Sequence, residues 1–335
     1  METWAPSLSS SSSSSSLAPL WLWGGGFGVA MLQLCSVYYV GALSVHALIP
    51  RIAGEAAVTP VNPKLGKRTK SQQRQMAREA FVSLGPIAVK AAVFCVCEAI
   101  HERKYGLLYD GALCRSSSLP VQMAVIAATV LSLDVLHDTW FYFTHLLMHK
   151  NRWLLSNVHY LHHQSKVPTP FSGYSLHVLE ALIVFFDEIL CVFVIPMHVS
   201  IHRLYHLYTT LIHIGGHASY ELHPLVPSLE QLAWILFKGG EVSREINTVL
   251  YHNLHHQFPG CNFSLYFGHW DTFFKTNYGS YFVEIMKVKD KGKDNCTGRY
   301  YLILMSSMLV MVVASALTFV LLYNTRLYIT NLLRL

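Results

Sequence analysis

Leu119-Pro-Val-Gln-Met-Ala-Val-Ile-Ala-Ala-Thr-Val-Leu-Ser-Leu-Asp-Val-Leu-His137-Asp138-Thr-Trp-Phe-Tyr-Phe-Thr-His145-Leu-Leu-Met-His149 is the stretch on which the fold turns. It opens as an apolar segment of membrane-span character, continues past Leu136, and finishes in two histidines four residues apart. Residues at i and i+4 lie on one face of a helix. A lipid-embedded helix would therefore deliver two imidazoles to its own end. The chain is predicted to be all-α: a multi-span integral membrane helical bundle with a histidine-rich helical cap that holds a dinuclear metal site.

The rest of the histidine pattern supports this. Of 19 histidines, 17 fall between His137 and His269. Beyond His145 and His149 come His159-Tyr-Leu-His162-His163 and His252-Asn-Leu-His255-His256. Each of these H-x-x-H-H segments offers three nitrogens within about one helical turn. Neutral imidazole is the commonest metal-binding side chain, and eight in this spacing exceed the four that one tetrahedral zinc accepts. His217 stands between the second and third clusters, with His213 four residues before it. Together these ten candidates suffice for two metals, with positions left for oxygen or water. The lone histidines His46, His101, His198, His202 and His206 are read as satisfied core residues. Asp138 precedes His145 by seven residues, on nearly the same face, and could orient a ligand through its second ring nitrogen; a buried polar role is the alternative. His177, Glu180, His223 and His269 fit either a place near the metals or a role in tying loop backbone together.

Ligand type does not choose the metal. H-E-x-x-H is missing, so a metalloprotease lacks its general base; soluble di-iron bundles pair Glu with Glu-x-x-His, and the clusters here contain no carboxylate. All-nitrogen sites suit iron, zinc, copper or nickel.

Composition points to a membrane. Apolar residues make up 52% of the 335 and charged residues only 13%, against a soluble norm of roughly 45–50% and about 25%. The net charge of +6 is no nucleic-acid signal, because much of the excess lies between Arg51 and Arg78, a basic loop of the kind that flanks spans on the cytosolic side. The seven cysteines, an odd number lying mostly in apolar stretches, are expected to be reduced. Residues 1–26 are a Ser-rich low-complexity start with no basic leader, so no cleaved signal peptide is expected. Residues 27–118 form a membrane hairpin with spans near Phe27–Ile49 and Phe81–Ile100. The segments Val178–Ile195 and Ile201–Gly215 are short for a core of ~30 Å and are expected to be either full crossings or a re-entrant hairpin. A basic linker, 277–300, leads to a last span, Tyr301–Tyr323, within 301–335. With the basic loop cytosolic, all three histidine clusters emerge on the cytosolic side, and the sequon at Asn295 is expected to carry no glycan.

These residues resemble the fatty acid hydroxylase superfamily of integral-membrane di-iron enzymes, which includes sterol desaturases, sterol hydroxylases and sphinganine hydroxylases. The matching stretches are Asp138 through His145 to His149, His159 to Gln164, His177-Val-Leu-Glu180, Gly216-His217, His252 to Gln257, Asn262-Phe263 and His269-Trp-Asp271. The resemblance covers roughly residues 119–276. The resemblance implies two iron ions held by the clusters and His217. It also implies activation of oxygen for attack on an unactivated lipid C–H, with electrons from a separate b-type cytochrome and an NAD(P)H reductase, at the endoplasmic reticulum membrane. No His-Pro-Gly-Gly segment marks a fused haem domain. On this reading the lipid is a sterol, a sphingoid base or a long acyl chain, and Asp138 and His177 are the candidates for catalytic support. The final span departs from the family's shorter members. A desaturase of the same family is the alternative. A histidine-rich metal transporter is the alternative from another class, disfavoured because transporters place their ligands near the bilayer midplane.

Overall fold

The computed structural model describes residues 25–48, 59–60, 70–111, 118–218, 220–221, 249–265 and 268–279. Three helices among them are long and apolar enough to cross a membrane. The first, α1 (Gly26–Ala47), carries two widened, π-helical turns at Ser36–Val40 and Ser44–Leu48. The second is a 33-residue run, Lys70–Glu102, made of α2 (Lys70–Val82) and α3 (Leu84–Glu102). Pro86 cannot donate a hydrogen bond to Val82 four residues back, which opens the ladder near Ser83. The third, α4, is Leu119–Lys150.

The basic segment read as loop to residue 78 is helical from Lys70 onward. Gln, Arg, Met, Ala and Glu between Lys70 and Val82 are good helix formers. Buried Glu79 fixes this helix by accepting from Ser165 Oγ at 2.5 Å, Thr169 Oγ1 at 2.5 Å and Gln75 Nε2 at 2.7 Å.

At 1.5 Å per residue, the 32 residues of α4 measure roughly 48 Å, against a hydrocarbon core of ~30 Å. About 12 residues must therefore project beyond the lipid. His145 and His149 lie in the last two turns of α4. Large apolar side chains stay exposed along α4 (Val121, Met123, Leu131, Val135) and along α1 (Phe27, Leu32, Leu43), as lipid-facing surfaces require.

Residues 152–163 form α5, with a π-helical turn at Leu155–His159. Then come α6 (Val178–Val184), α7 (Asp187–Val194), α8 (Val199–Gly216), α9 (Val249–Gln257) and α10 (His269–Phe273). Two short strand pairs fix which ends meet. Leu108–Tyr109, just past α3, pairs in parallel with Met197–His198, at the turn between α7 and α8. Thr59–Pro60, beyond α1, pairs antiparallel with Tyr220–Glu221, just past His217. The α6–α7 arm thus descends from the histidine end to the end of α3, and α8 returns. The two short segments therefore form a hairpin that reaches the far end of α3.

Leu34, Tyr38 and Ala42 of α1 share one core with Ile87, Ala91 and Phe94 of α3, Ala181 and Val184 of α6, and Tyr205 and Ile214 of α8. Gly173 permits a close approach, since a Cβ there would lie 2.6 Å from the His213 carbonyl oxygen. The described cysteines (Cys35, Cys95, Cys97, Cys191 and Cys261) are free thiols, as expected. Asn295 and the expected span Tyr301–Tyr323 lie outside the described residues.

Candidate metal centre

Nine imidazoles from α4, α5, α9 and the residue that ends α8 gather into two groups. His145, His149, His159, His163 and His255 form one; His162, His217, His252 and His256 form the other. Within each group the available ligand atoms lie within 4.8 Å of one another. The two H-x-x-H-H segments are divided in a reciprocal way. The first gives its i, i+4 pair, His159 and His163, to the five-membered group and His162 to the other. The second gives His252 and His256 to the four-membered group and His255 to the five-membered one. Helix geometry permits this, because i and i+4 are about 40° apart whereas i+3 lies about 100° from i+4. The groups are neighbours, with the His163 and His256 ring centroids 5.1 Å apart.

The ring nitrogens converge in a way that hydrogen bonding cannot satisfy. His163 Nε2 sits 3.2 Å from His149 Nε2, 3.0 Å from His159 Nε2 and 3.1 Å from His255 Nε2. His252 Nε2 is 2.9 Å from His217 Nε2 and 3.1 Å from His256 Nε2. Four of the rings carry their proton on the opposite nitrogen. His145 Nδ1 donates to the Phe263 carbonyl at 2.8 Å, His255 Nδ1 to the Cys261 carbonyl at 2.6 Å, and His217 Nδ1 to the His213 carbonyl at 2.7 Å. His159 Nδ1 meets the Glu180 carboxylate at 2.7 Å. A ring protonated at Nδ1 presents the Nε2 lone pair, the arrangement in which a metal-bound histidine is held by a carbonyl or carboxylate behind it. The donors thus fit two metal ions, one with five nitrogens and one with four.

Burial disfavours the charged form of an imidazole. It drives His162, His252, His255 and His256 far below the ordinary imidazole range, with neighbouring imidazoles adding to the effect. Burial lowers His163 to about 3 and His217 to about 4. The four-membered group is wholly buried, whereas His149 and His163 leave the other partly open. The Phe263 ring lies against His145, His149 and His255, at centroid distances of 5.6, 5.2 and 5.6 Å.

Three residues expected at the site lie elsewhere. His213 is buried but belongs to neither group: its Nδ1 donates to the Thr209 carbonyl within α8, and its ring packs against Tyr174. Its backbone contributes instead, its carbonyl accepting the hydrogen bond from His217 Nδ1. Asp138 is buried two turns before His145, roughly 10 Å along α4, and the Phe263 carbonyl occupies the orienting position. His177 is exposed and caps α6, its Nδ1 accepting from Leu179 N at 3.1 Å.

The supports were harder to see in the sequence. Glu180, one of the residues open to either role, is the carboxylate behind His159. Buried Asp271 accepts from Tyr251 Oη at 2.6 Å, Phe263 N at 2.9 Å and Ser264 N at 2.8 Å, so it aims the Phe263 carbonyl at His145. Asn262 adopts φ 58°, a left-handed conformation that Asn tolerates better than most residues.

Comparison with known proteins agrees with this geometry. Residues 130–276 match the fatty acid hydroxylase family. The chain is 30% identical over 154 residues to the cholesterol 25-hydroxylase of Rattus norvegicus, covering 45% of this chain and 47% of the relative. It is 25% identical over 173 residues to the lathosterol oxidase of Homo sapiens, covering 50% of each. It is 29% identical over 147 residues to a sphingolipid C4-hydroxylase of Saccharomyces cerevisiae, covering 42% of this chain and 38% of the relative. The chain thus spans about half the length or less of these curated relatives. No solved structure is significantly similar. A fatty acid hydroxylase domain is thus matched over residues 130–276, and that stretch contains both histidine groups.

Proposed function

We propose that this protein is a membrane di-iron oxygenase that hydroxylates an unactivated C–H bond of a lipid. His145, His149, His159, His163 and His255 hold one iron, and His162, His217, His252 and His256 hold the other. The observation that carries this reading is the gathering of nine imidazoles into two adjacent sets with converging ring nitrogens. When bound, the two irons supply activation of molecular oxygen and removal of hydrogen from carbon. The protein's part is positional. Glu180 and the carbonyls of Phe263, Cys261 and His213 fix the ring tautomers. Burial of the four-membered group excludes bulk water, and Phe263 and Phe141 give the other group an apolar wall.

A lipid substrate is supported by the exposed apolar faces of α1 and α4, which suit a histidine end at the membrane surface. The named relatives act on cholesterol, lathosterol and sphingolipid, so a sterol or a sphingoid base leads over a free acyl chain. Electrons come from a b-type cytochrome served by an NAD(P)H reductase, reaching the metals beside the partly open His149 and His163. The setting is the endoplasmic reticulum membrane with the centre facing the cytosol. Desaturation is the second reading, supported by the lathosterol oxidase relative.

Lipid profiling of cells with and without the protein should reveal a gained hydroxyl, or a double bond on the second reading. His217→Ala and His255→Ala should abolish that product while the protein remains in the membrane. Full product formation by either variant would overturn the di-iron reading.

A further inference from the structure

Far from the nine clustered histidines lies another set of metal-binding side chains. Cys191 of α7 and His202 and His206 of α8 are all buried, and their ligand atoms lie within 4.8 Å of one another. Read alone, the two histidines pass for core residues. Together with Cys191 they make a thiolate-and-two-imidazole donor set across the two arms of the hairpin. We infer that Cys191, His202 and His206 form a third, mononuclear metal site, suited to zinc, that ties α7 to α8.

Three features of the geometry support this. Cys191 Sγ is 3.6 Å from His206 Nε2. A tetrahedral zinc, with Zn–S of about 2.3 Å and Zn–N of about 2.0–2.1 Å, would separate those atoms by about 3.5 Å. The donor set is soft and carries no carboxylate ligand, which favours zinc over the hard cations. One residue, Glu188, also lies behind both rings. His202 Nε2 donates to the Glu188 carbonyl at 3.0 Å, which makes Nδ1 its lone-pair atom. With Nε2 of His206 on the metal, its Nδ1 faces the Glu188 carboxylate at 3.6 Å. That carboxylate is itself fixed by Lys90 Nζ at 2.9 Å. Supports behind ligating histidines of this kind set their tautomer and direction.

His202 and His206 are i and i+4 on α8, with ring centroids 4.5 Å apart. His206 precedes His217 by eleven residues, roughly 16 Å along the helix, toward the end where Met197–His198 pairs with Leu108–Tyr109. The site is therefore separate from the paired histidine groups and takes no part in their chemistry. Its role is to hold closed a hairpin interrupted at Pro196. Metal entry displaces one proton, that of the Cys191 thiol, and leaves a fourth position for water.

The test is spectroscopic and independent of oxygenase activity. The detergent-purified full chain is stripped of metal and refilled with Co²⁺. The two histidine groups contain no sulfur, so a near-ultraviolet thiolate-to-cobalt charge-transfer band reports this cluster. The band is expected in the wild type and in His255→Ala, and its loss is expected in Cys191→Ser and His206→Asn. The zinc content of the untreated protein should fall by about one ion per chain in Cys191→Ser. Absence of the band from the wild type, or its persistence in Cys191→Ser, would reduce the cluster to a thiol–imidazole hydrogen bond in the core. Should Cys191→Ser fail to accumulate, zinc-edge X-ray absorption of the wild type decides. A sulfur neighbour at about 2.3 Å supports the site, and a shell of nitrogen and oxygen alone overturns it.

Discussion

Glu180 is the carboxylate that backs His159 within the five-membered group, and its substitution is the sharpest test at the residue scale. Losing a carboxylate behind a metal-bound histidine commonly lowers metal affinity or activity by about 10–100-fold. Glu180→Gln should fall in that range and Glu180→Ala should be worse, as read by iron retained against graded chelator. Undiminished retention in Glu180→Ala would mean that another group sets the His159 tautomer. The histidines also give the metal-free protein a pH dependence of definite sign. His217 is lowered to about 4 and His163 to about 3 when folded, from an ordinary 6.5. The unfolded chain then binds more protons between those values, so stability is lost as pH falls from 6.5 toward 4. The Tm of metal-stripped protein should drop across that window, and less steeply in His217→Ala. A flat Tm would show that these rings are not buried in the folded apoprotein.

At the scale of elements, α3 and α7 are joined by a fully buried ion pair, Lys90 to Glu188 at 2.9 Å. Lys90 also donates to Tyr174 Oη and Thr209 Oγ1, both at 3.1 Å. Removing one member of such a pair leaves a stranded charge and costs roughly 3–5 kcal/mol, whereas replacing both by apolar groups is often close to neutral. Lys90→Met should therefore unfold the detergent-solubilised protein at markedly lower temperature, and Lys90→Met with Glu188→Leu should recover most of the loss. A double variant no better than the single one would mean that Lys90 acts mainly through Tyr174 and Thr209. The same elements show how far local sequence carried. The apolar run and the i, i+4 histidines made α4 readable from Leu119 to His149. The start of α2 at Lys70 was not readable, because the anchor for Glu79 is supplied by Ser165 and Thr169, some 90 residues away.

For the whole molecule, the strand pairs place the chain beyond α1 at the histidine end and the chain beyond α3 at the opposite end. On the proposed orientation, with the basic loop after α1 in the cytosol, the histidine end would face the cytosol as well. Asn295 should then remain unglycosylated, so glycosidase treatment should leave its electrophoretic mobility unchanged. A mobility shift abolished by Asn295→Gln would reverse the orientation and remove a cytosolic electron donor from the proposed function.

Read alone, the sequence reveals a helical membrane protein with clustered histidines that could bind metal. Both follow from local periodicity: apolar runs of spanning length, and imidazoles repeated at helical spacing. Only the tertiary structure decided how the imidazoles divide, five and four, with each H-x-x-H-H segment split between the two groups. That division depends on the relative rotation of α5 and α9, which packing sets and spacing along one chain segment cannot. The same reason explains why Glu180, Asp271 and the Phe263 carbonyl emerged as supports, and why His213 and His177 did not join the centre. A side chain's neighbours across the bundle are fixed by how helices dock, not by the residues beside it in the sequence.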